Sequence, residues 1–473
     1  MNLGAGSWAP ADGNGPAPAD GVERSGARTW AASGASGTVL GFWACLTVLA
    51  MITLSPTPAL ASPPDLLGFG GRSPGMAGTG VSFADDYEAV YQNPAGLSRA
   101  QHSGLSLGLH GAAFALSIDG SRSPLEGSQA STIGLTLPLP FGGALQDVFV
   151  LGTGFFTPLN VVLRNDVLFP ENIQWPVLNR AQAVTIMMGL GINLSRWIPG
   201  FRLGIGAAAL ADTQGRLLVQ LDDGDRFVSQ TETQLLASFS PIAGVNLDVG
   251  KLSLGLVYRA EARADISLNI VTEKLPVSLP MITIKALAQY DPHTVSAEAS
   301  YHVTDEWLVA ANLTYRRWSA WTGYAGASTA SSFLPPAPGF HDTISPRISA
   351  EWTTRRNRTR ASLRAGYAYE PSPAPAARMA AQRNPDGTPR TDRDTGAPVL
   401  IPLRLLDSSR HLFTAGVGFD YETSFGAHLV FDLYGQLQRL NHRTMDIPAA
   451  EGTSNMTIKG FIPAFGWTGG LEW

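Results

Sequence analysis

The chain has 473 residues, of which 44% are hydrophobic and only 15% are charged, and its formal net charge is −5. Soluble domains carry roughly 25% charged residues, so this protein is poor in charge. A net negative charge gives no electrostatic basis for binding nucleic acid, and we expect no nucleic-acid partner.

Residues 1–61 are predicted to be an extended N-terminal region that ends in a secretory signal peptide. An apolar run, Val39–Leu54, is followed by the small-residue cleavage pattern Ala59-Leu60-Ala61. The run is shorter than the ~20 residues that a spanning helix needs, which disfavours a membrane anchor. Cleavage after Ala61 removes Cys45, the single cysteine, and leaves a mature protein without disulfides, thiolate metal sites or a cysteine nucleophile.

Residues 62–100 form a glycine-rich segment ahead of the first predicted strand. Glycine loses much backbone entropy in helices and strands, so such a segment keeps its shape only when something encloses it. We therefore predict that it is a hatch inside a larger structure, with a glycine-rich linker as the alternative. The residues that characterise this segment are Gly71, Arg72, Asp85, Asp86, Asn93, Pro94 and Ala95.

Apolar and polar residues alternate with period two along the rest of the chain, which contains no run of ~18 apolar residues. In one such stretch Trp307, Val309 and Leu313 alternate with Asn312 and Arg316. We expect one face of each strand to contact hydrocarbon and the other to contact water. The predicted strands are 103–118, 129–138, 147–158, 183–194, 201–211, 233–248, 252–262, 282–303, 307–318, 342–354, 360–370, 409–421, 427–439 and 457–473.

The connections between these strands alternate in length. Gly250-Lys251 and Thr304–Glu306 are short, whereas Asn160–Gln182, Asp212–Glu232 and Pro371–Ser408 are long. Short turns on one side and long loops on the other, over an even number of strands, are typical of outer-membrane barrels. Barrel closure also leaves no backbone hydrogen bond open to lipid. We predict an all-β fold, a 14-stranded antiparallel transmembrane β-barrel over residues 101–473 with an N-terminal hatch and long extracellular loops.

The hatch residues named above resemble the N-terminal hatch of the FadL/TodX family of outer-membrane transport proteins. Later segments are similar in the same order: Thr304-Asp305-Glu306-Trp307, Arg364-Ala365-Gly366-Tyr367 and Asp407-Ser408-Ser409-Arg410-His411. The resemblance implies a plugged barrel of the bacterial outer membrane that imports hydrophobic compounds. It also implies a lateral gate at a kink in the third strand, where this chain has Gly152 and Gly154.

The sequence contains no nucleophile elbow and no helical metal-ligand spacing, so we expect no enzymatic activity, no metal and no cofactor. Arginine presents a planar fork that fits a carboxylate, which makes lumen-facing arginines candidates for binding a fatty acid. Charge networks that pin the hatch are the alternative role for them. Large apolar residues of a long loop could capture a ligand or could pack on each other. The candidate ligand-binding residues are Phe169, Trp175, Arg259, Arg316, Arg347 and Arg364.

We therefore expect passive uptake of long-chain fatty acids or other hydrophobic molecules by a monomer. The ligand is captured at extracellular loops and leaves laterally into outer-membrane lipid. The aromatic C-terminal strand, which ends at Trp473, resembles the strand that the barrel-assembly machinery recognises. A FadL-like barrel that shuttles protein cargo in a secretion system is the alternative. A general polar porin is disfavoured because the hatch would block it.

Overall fold

A computed structural model describes residues 64–122, 127–159, 163–164, 182–221, 227–273, 281–323, 333–405, 407–449 and 452–473. The predicted N-terminal region with Cys45, and the loop residues Phe169 and Trp175, lie outside the described residues. Among the described helices, none is long and apolar enough to cross a membrane.

Fourteen of the described strands pair with their neighbours in chain order, all antiparallel, and the last pairs with the first. The predicted closed barrel is thereby confirmed. The strands are β1 Gly104–Ala112, β2 Ser128–Pro138, β3 Phe149–Pro158, β4 Thr185–Asn193, β5 Phe201–Leu221, β6 Phe227–Val249, β7 Leu252–Arg259, β8 Thr294–His302, β9 Trp307–Arg316, β10 Thr343–Arg356, β11 Thr359–Glu370, β12 Arg410–Glu422, β13 His428–Ala449 and β14 Gly452–Glu472.

The two faces of the wall follow the predicted alternation. In β9 every second residue is buried, and the intervening residues are exposed on the outside. Trp307, Val309 and Leu313 face outward, whereas Asn312 and Arg316 face the lumen and are buried. The outer face suits hydrocarbon, because apolar side chains that are unfavourable in water are at no disadvantage in lipid.

The structure corrects several predicted boundaries. The thirteenth predicted strand, 427–439, extends to Ala449, and the fourteenth, 457–473, begins at Gly452. Two other corrections change the architecture. Asp212–Glu232 was expected to be a loop, but β5 continues to Leu221 and β6 begins at Phe227. The predicted strand 282–303 is divided at Pro292, because proline has no N–H to donate to a ladder. Only its second half belongs to the barrel, as β8. The first half, Ile282–Asp291, forms a hairpin with Ala262–Glu273, which pairs in parallel with the far end of β5.

Six further short strands lie outside the barrel wall. Ala115–Ile118 continues the pairing of β14 beyond the end of β1 and also pairs with Ser121–Arg122. Within the predicted long loop Pro371–Ser408, Arg378–Ala381 pairs with Leu400–Leu403. The last pair is Leu163–Arg164 with Gln182–Ala183.

The described part of the predicted hatch, from Pro64 onward, lies within the barrel and is mostly buried. It contains three helices of one turn each and a 3-10 helix. These are α1 Pro64–Leu67, α2 Arg72–Gly75, α3 Ala89–Gln92 and the 3-10 helix Pro94–Arg99. Two other 3-10 turns lie in connections, at Gly143–Leu145 and Trp318–Ala320.

Candidate functional site

One half of the barrel wall, β2 to β7, approaches the hatch through glycines. At seven of these glycines an added Cβ would lie 2.5 Å or less from a hatch atom, so a larger residue could not occupy these positions without moving the hatch. At Gly204, for example, the Cβ would lie 2.0 Å from the backbone nitrogen of Ala95. We call this set the glycine belt: Gly134, Gly152, Gly154, Gly191, Gly204, Gly244 and Gly255.

Asn93 joins the hatch to the same half of the wall. Its side-chain nitrogen donates to the backbone oxygen of Val81 at 2.9 Å, to that of Val245 at 3.1 Å and to Oδ1 of Asn246 at 2.7 Å. Its own Oδ1 accepts from the nitrogen of Ala95 at 3.1 Å, which caps the 3-10 helix that begins at Pro94. The Asn93-Pro94-Ala95 segment predicted from sequence therefore lies directly against the wall.

The other half of the wall, β8 to β13, holds the hatch through charged and polar side chains. Arg72 donates twice to Glu351, at 2.7 and 3.0 Å, and pairs with Asp85 of the hatch at 3.1 Å. Arg364 donates to the same Glu351 at 2.6 Å and pairs with Asp432. Because both acids engage it, Arg364 belongs to this hatch-anchoring network and lies apart from the other predicted ligand arginines.

Two buried glutamates bind backbone N–H groups of the hatch. Glu298 of β8 accepts from the nitrogens of Gly80 and Ser82, at 3.0 and 2.8 Å. Glu88, within the hatch, accepts from the nitrogens of Gly71, Arg72 and Ser73 at 2.6 to 2.8 Å. Burial raises the pKa of Glu88 to about 7, although these donors oppose the shift.

Neither Glu298 nor Glu88 is among the site residues predicted from the sequence. The one available sign for Glu298 was its position on the lumen face of an alternating strand. For Glu88 the sequence offered no sign, since its three backbone donors come together only after folding.

Three of the predicted ligand arginines meet at one cavity between the hatch and the wall. Arg259, Arg316 and Arg347 line this space of about 40 Å³, together with Glu370 and with hatch residues that include Ala77. Arg347 donates to the backbone oxygen of Ala77 at 3.1 Å and to Glu370 at 2.7 Å. We call this space the arginine cavity.

Arg259 is also in contact with the hatch. It donates to the backbone oxygens of Tyr91 and Gln92, the second at 3.2 Å. Its guanidinium carbon lies 4.5 Å from the centre of the Tyr91 ring, within the range of a cation–π contact. Two of the cavity's arginines therefore hold carbonyl groups of the hatch.

An apolar region adjoins the arginine cavity. Tyr91 lines the cavity and also packs against a buried apolar cluster, so the two regions share a side chain. The cluster combines apolar residues of the hatch with inward-facing residues of β2, β3, β4, β13 and β14. Its wall members include Ala130, Val150, Phe156, Met187, Leu440, Met445, Ile458 and Ile462.

No family model matches the sequence, and no curated protein matches it either. Among solved structures, a FadL homologue from Pseudomonas aeruginosa aligns with a TM-score of 0.53 and 14% identity, over 88% of this chain and 98% of the homologue. This chain has the FadL fold. The Pseudomonas putida toluene transporter TodX and the monoaromatic hydrocarbon channel CymD align with TM-scores of 0.48 and 0.47, at 12% and 14% identity. They cover 86% and 85% of this chain, and 99% and 97% of their own lengths.

Within this FadL fold, the third strand is paired without interruption where a gate was expected. Gly152 and Gly154 lie opposite Gly134 and Thr136 of β2 on one side and opposite positions of β4 on the other. No register shift occurs in either ladder over the described residues. The two glycines face Leu97 and Phe69 of the hatch, which explains their small size without an opening in the wall.

Proposed function

We propose that this protein is a channel of the bacterial outer membrane that takes up amphipathic long-chain carboxylates, with fatty acids as the main class. The observation that carries the proposal is the arginine cavity beside the apolar cluster, joined by Tyr91. A fatty acid has the same two parts, a carboxylate and a long apolar tail. Burying the tail is favourable by about 0.8 kcal/mol per methylene group.

The charge of the arginine cavity favours an acid over a neutral hydrocarbon. Its described lining contains three arginines and one carboxylate, Glu370, which also accepts from Arg410 at 2.5 Å. A carboxylate gains charge-assisted hydrogen bonds from such a site, whereas an aromatic hydrocarbon or an alkane gains none.

Two arginines of the cavity already donate to the hatch, and this links ligand binding to the hatch. The hatch carbonyls of Ala77 and Gln92 occupy donors of Arg347 and Arg259, so a carboxylate would compete with the hatch for both arginines.

Binding to the purified protein tests this proposal. We expect a long-chain fatty acid to bind more tightly than its methyl ester, since the ester has the same tail without the charge. Arg316→Met should remove most of this difference, roughly a 10- to 100-fold loss for the acid, because a hydrogen bond to a charged group contributes about 1.5–3 kcal/mol. Arg358→Met, in an exposed turn, is the matched control. Equal binding of acid and ester by the parent would reject the carboxylate and favour a neutral ligand.

We further propose that the ligand leaves sideways into the bilayer through a transient separation of β3 from β4. Arginine substitutions at Gly152 or Gly154 would push against the hatch itself, so they cannot test an exit alone. A disulfide between Leu151→Cys and Leu190→Cys, a lipid-side pair across this seam, would close it without entering the lumen. Uptake by vesicles should stop and return on reduction. The control is a disulfide between Ala311→Cys and Ile348→Cys, which joins β9 to β10. If uptake is unchanged in both disulfide variants, the ligand does not leave between β3 and β4.

A further inference from the structure

Three neighbouring short turns at one end of the barrel present apolar side chains to the outside. These turns join β2 to β3, β4 to β5 and β6 to β7. The apolar side chains of these turns are 44% to 57% exposed, so they are not packed into the protein. We call this set the apolar rim: Phe141, Leu145, Trp197, Ile198 and Val249.

The three turns are linked to one another. Arg196 of the second turn donates to the backbone oxygen of Gly143 in the first at 3.4 Å. The backbone N–H of Asp248, beside the third turn, donates to the backbone oxygen of Gly200 in the second turn at 2.9 Å. The carboxylate of Asp248 also pairs with Arg202. The rim is therefore one surface along the edge of the barrel.

Local contacts hold the rim side chains outward. The nitrogens of Trp197 and Ile198 both donate to the oxygen of Leu194 at 2.9 Å, which forms a tight turn with both side chains at its tip. Phe141 packs edge-to-face on Phe149, with ring centres 5.7 Å apart. These apolar groups are thus fixed in an exposed position rather than free to collapse onto the wall.

The three remaining short turns of the same end are mostly charged. The turn from β8 to β9 contains Asp305 and Glu306, and near the next two turns Arg355 pairs with Glu422 at 3.0 Å. Val303 and Phe425 are apolar and exposed there, but each lies beside charged or polar neighbours. The β2–β7 side therefore holds most of the exposed apolar side chains of these turns, in three turns that contact one another.

We propose that the apolar rim inserts into the headgroup region of the membrane leaflet at this end of the barrel, which rests on the membrane location proposed above. The rim continues the outward-facing apolar wall, whose Leu137 and Ile205 lie on the strands that lead into these turns. Tryptophan favours the membrane–water interface, because its ring is apolar while its N–H can be hydrated. Exposed cations of the rim, Arg196 and Lys251, would meet anionic phospholipid headgroups.

Spin labels on single cysteines test this inference, since replacing Cys45 by serine removes the native cysteine. Labels would be placed at Trp197→Cys and Leu145→Cys, and at the controls Glu306→Cys and Arg358→Cys, in full-length protein in vesicles that contain anionic phospholipid. We expect the ratio of oxygen to nickel-chelate accessibility to be several-fold higher at the rim than at the controls.

Rim labels that are as accessible to the water-soluble nickel chelate as the controls would overturn the inference, and a soluble partner protein would then be the better occupant. The measurement does not depend on transport. A barrel that fails to take up fatty acids can still show lipid-buried rim labels, so the two proposals fail separately.

Discussion

Replacing Asn93 by alanine should loosen the hatch without unfolding the barrel. The change removes a side-chain NH2 group, whose two hydrogens are shared among three hydrogen-bond acceptors, and the acceptor of the Ala95 nitrogen. Each such bond is worth about 1 kcal/mol net. Val81 keeps a second donor, since Asn246 also reaches its oxygen at 3.1 Å, so the loss is partly compensated. We expect hatch docking to weaken by about 2–3 kcal/mol, or roughly 30- to 150-fold.

Hydrogen exchange measures this change directly. Amides of the hatch that donate to the wall, such as the nitrogen of Ser82 to Glu298 at 2.8 Å, should exchange faster by the same factor. Amides of the barrel strands should keep their rates, and the folded barrel should stay heat-resistant on gels. Asn269→Ala is the matched control, since this asparagine bonds Thr283 in the hairpin outside the wall.

Two outcomes would refute the reasoning. If hatch amides of the folded Asn93→Ala variant exchange at the parent's rate, the side chain does not hold the hatch. If hatch and strand amides accelerate equally, the substitution weakens the whole barrel rather than one contact. A cycle with Asn246→Ala sharpens the test, because the 2.7 Å contact between the two asparagines predicts non-additive effects.

Three further predictions concern the hatch and processing. Because the pKa of Glu88 is raised to about 7 from 4.5, its contribution to hatch stability is present below pH 4.5 and is lost as the pH rises through 7. Hydrogen exchange of hatch amides, corrected for the pH dependence of the intrinsic exchange rate, should therefore become faster over this range. In Glu88→Gln the corrected rate should not change with pH. Gly204→Val should displace the hatch and alter uptake, whereas Gly435→Val, where an added Cβ meets nothing within 4 Å, should leave both unchanged; equal behaviour of the two would refute the glycine belt. N-terminal sequencing of the outer-membrane fraction should find a mature chain that begins near Ser62, and retention of Cys45 would contradict the signal peptide.

Alternation made the barrel predictable from the sequence. In a barrel strand, outward-facing residues are apolar and lumen-facing residues are polar, so the alternation along each strand indicates which residues share a face. In the far parts of β5 and β6 the alternation stops, because residues 212–216 and 229–234 are runs of polar residues and glycine, so the pattern gave no sign that the predicted loop Asp212–Glu232 was wrong. Pro292 was visible as an interruption, but only the pairing of β8 with β7 shows which half of that segment enters the wall.

The candidate site was only partly predictable. A sequence can place an arginine on the lumen face, but ion pairing is a property of the assembled wall. Arg364 meets Glu351 and Asp432, which lie 13 and 68 residues away along the chain, and this pairing separates it from the arginine cavity. Gly152 and Gly154 are a second case. A glycine in a strand is compatible both with a bulge and with the close approach of another backbone, and only the hatch residues that face these two glycines show which applies.

Close packing is confined mainly to the β2–β7 half of the wall, although hydrogen bonds and the ion pair of Arg99 with Asp248 also hold the hatch there, and this asymmetry bears on how the hatch could open. Close packing against the glycine belt is short-ranged and insensitive to an ion in the lumen. The contacts of Arg347 and Arg259 with hatch carbonyls are directional, and a stronger acceptor can replace a neutral carbonyl there. Under the proposed function, a carboxylate that binds Arg259 and Arg347 would therefore release the hatch carbonyls that these arginines hold, while close packing against the glycine belt remained. Under the proposed function, a neutral hydrocarbon of equal length should leave hatch exchange unchanged, and a fatty acid should accelerate it most at Ala77 and its neighbours.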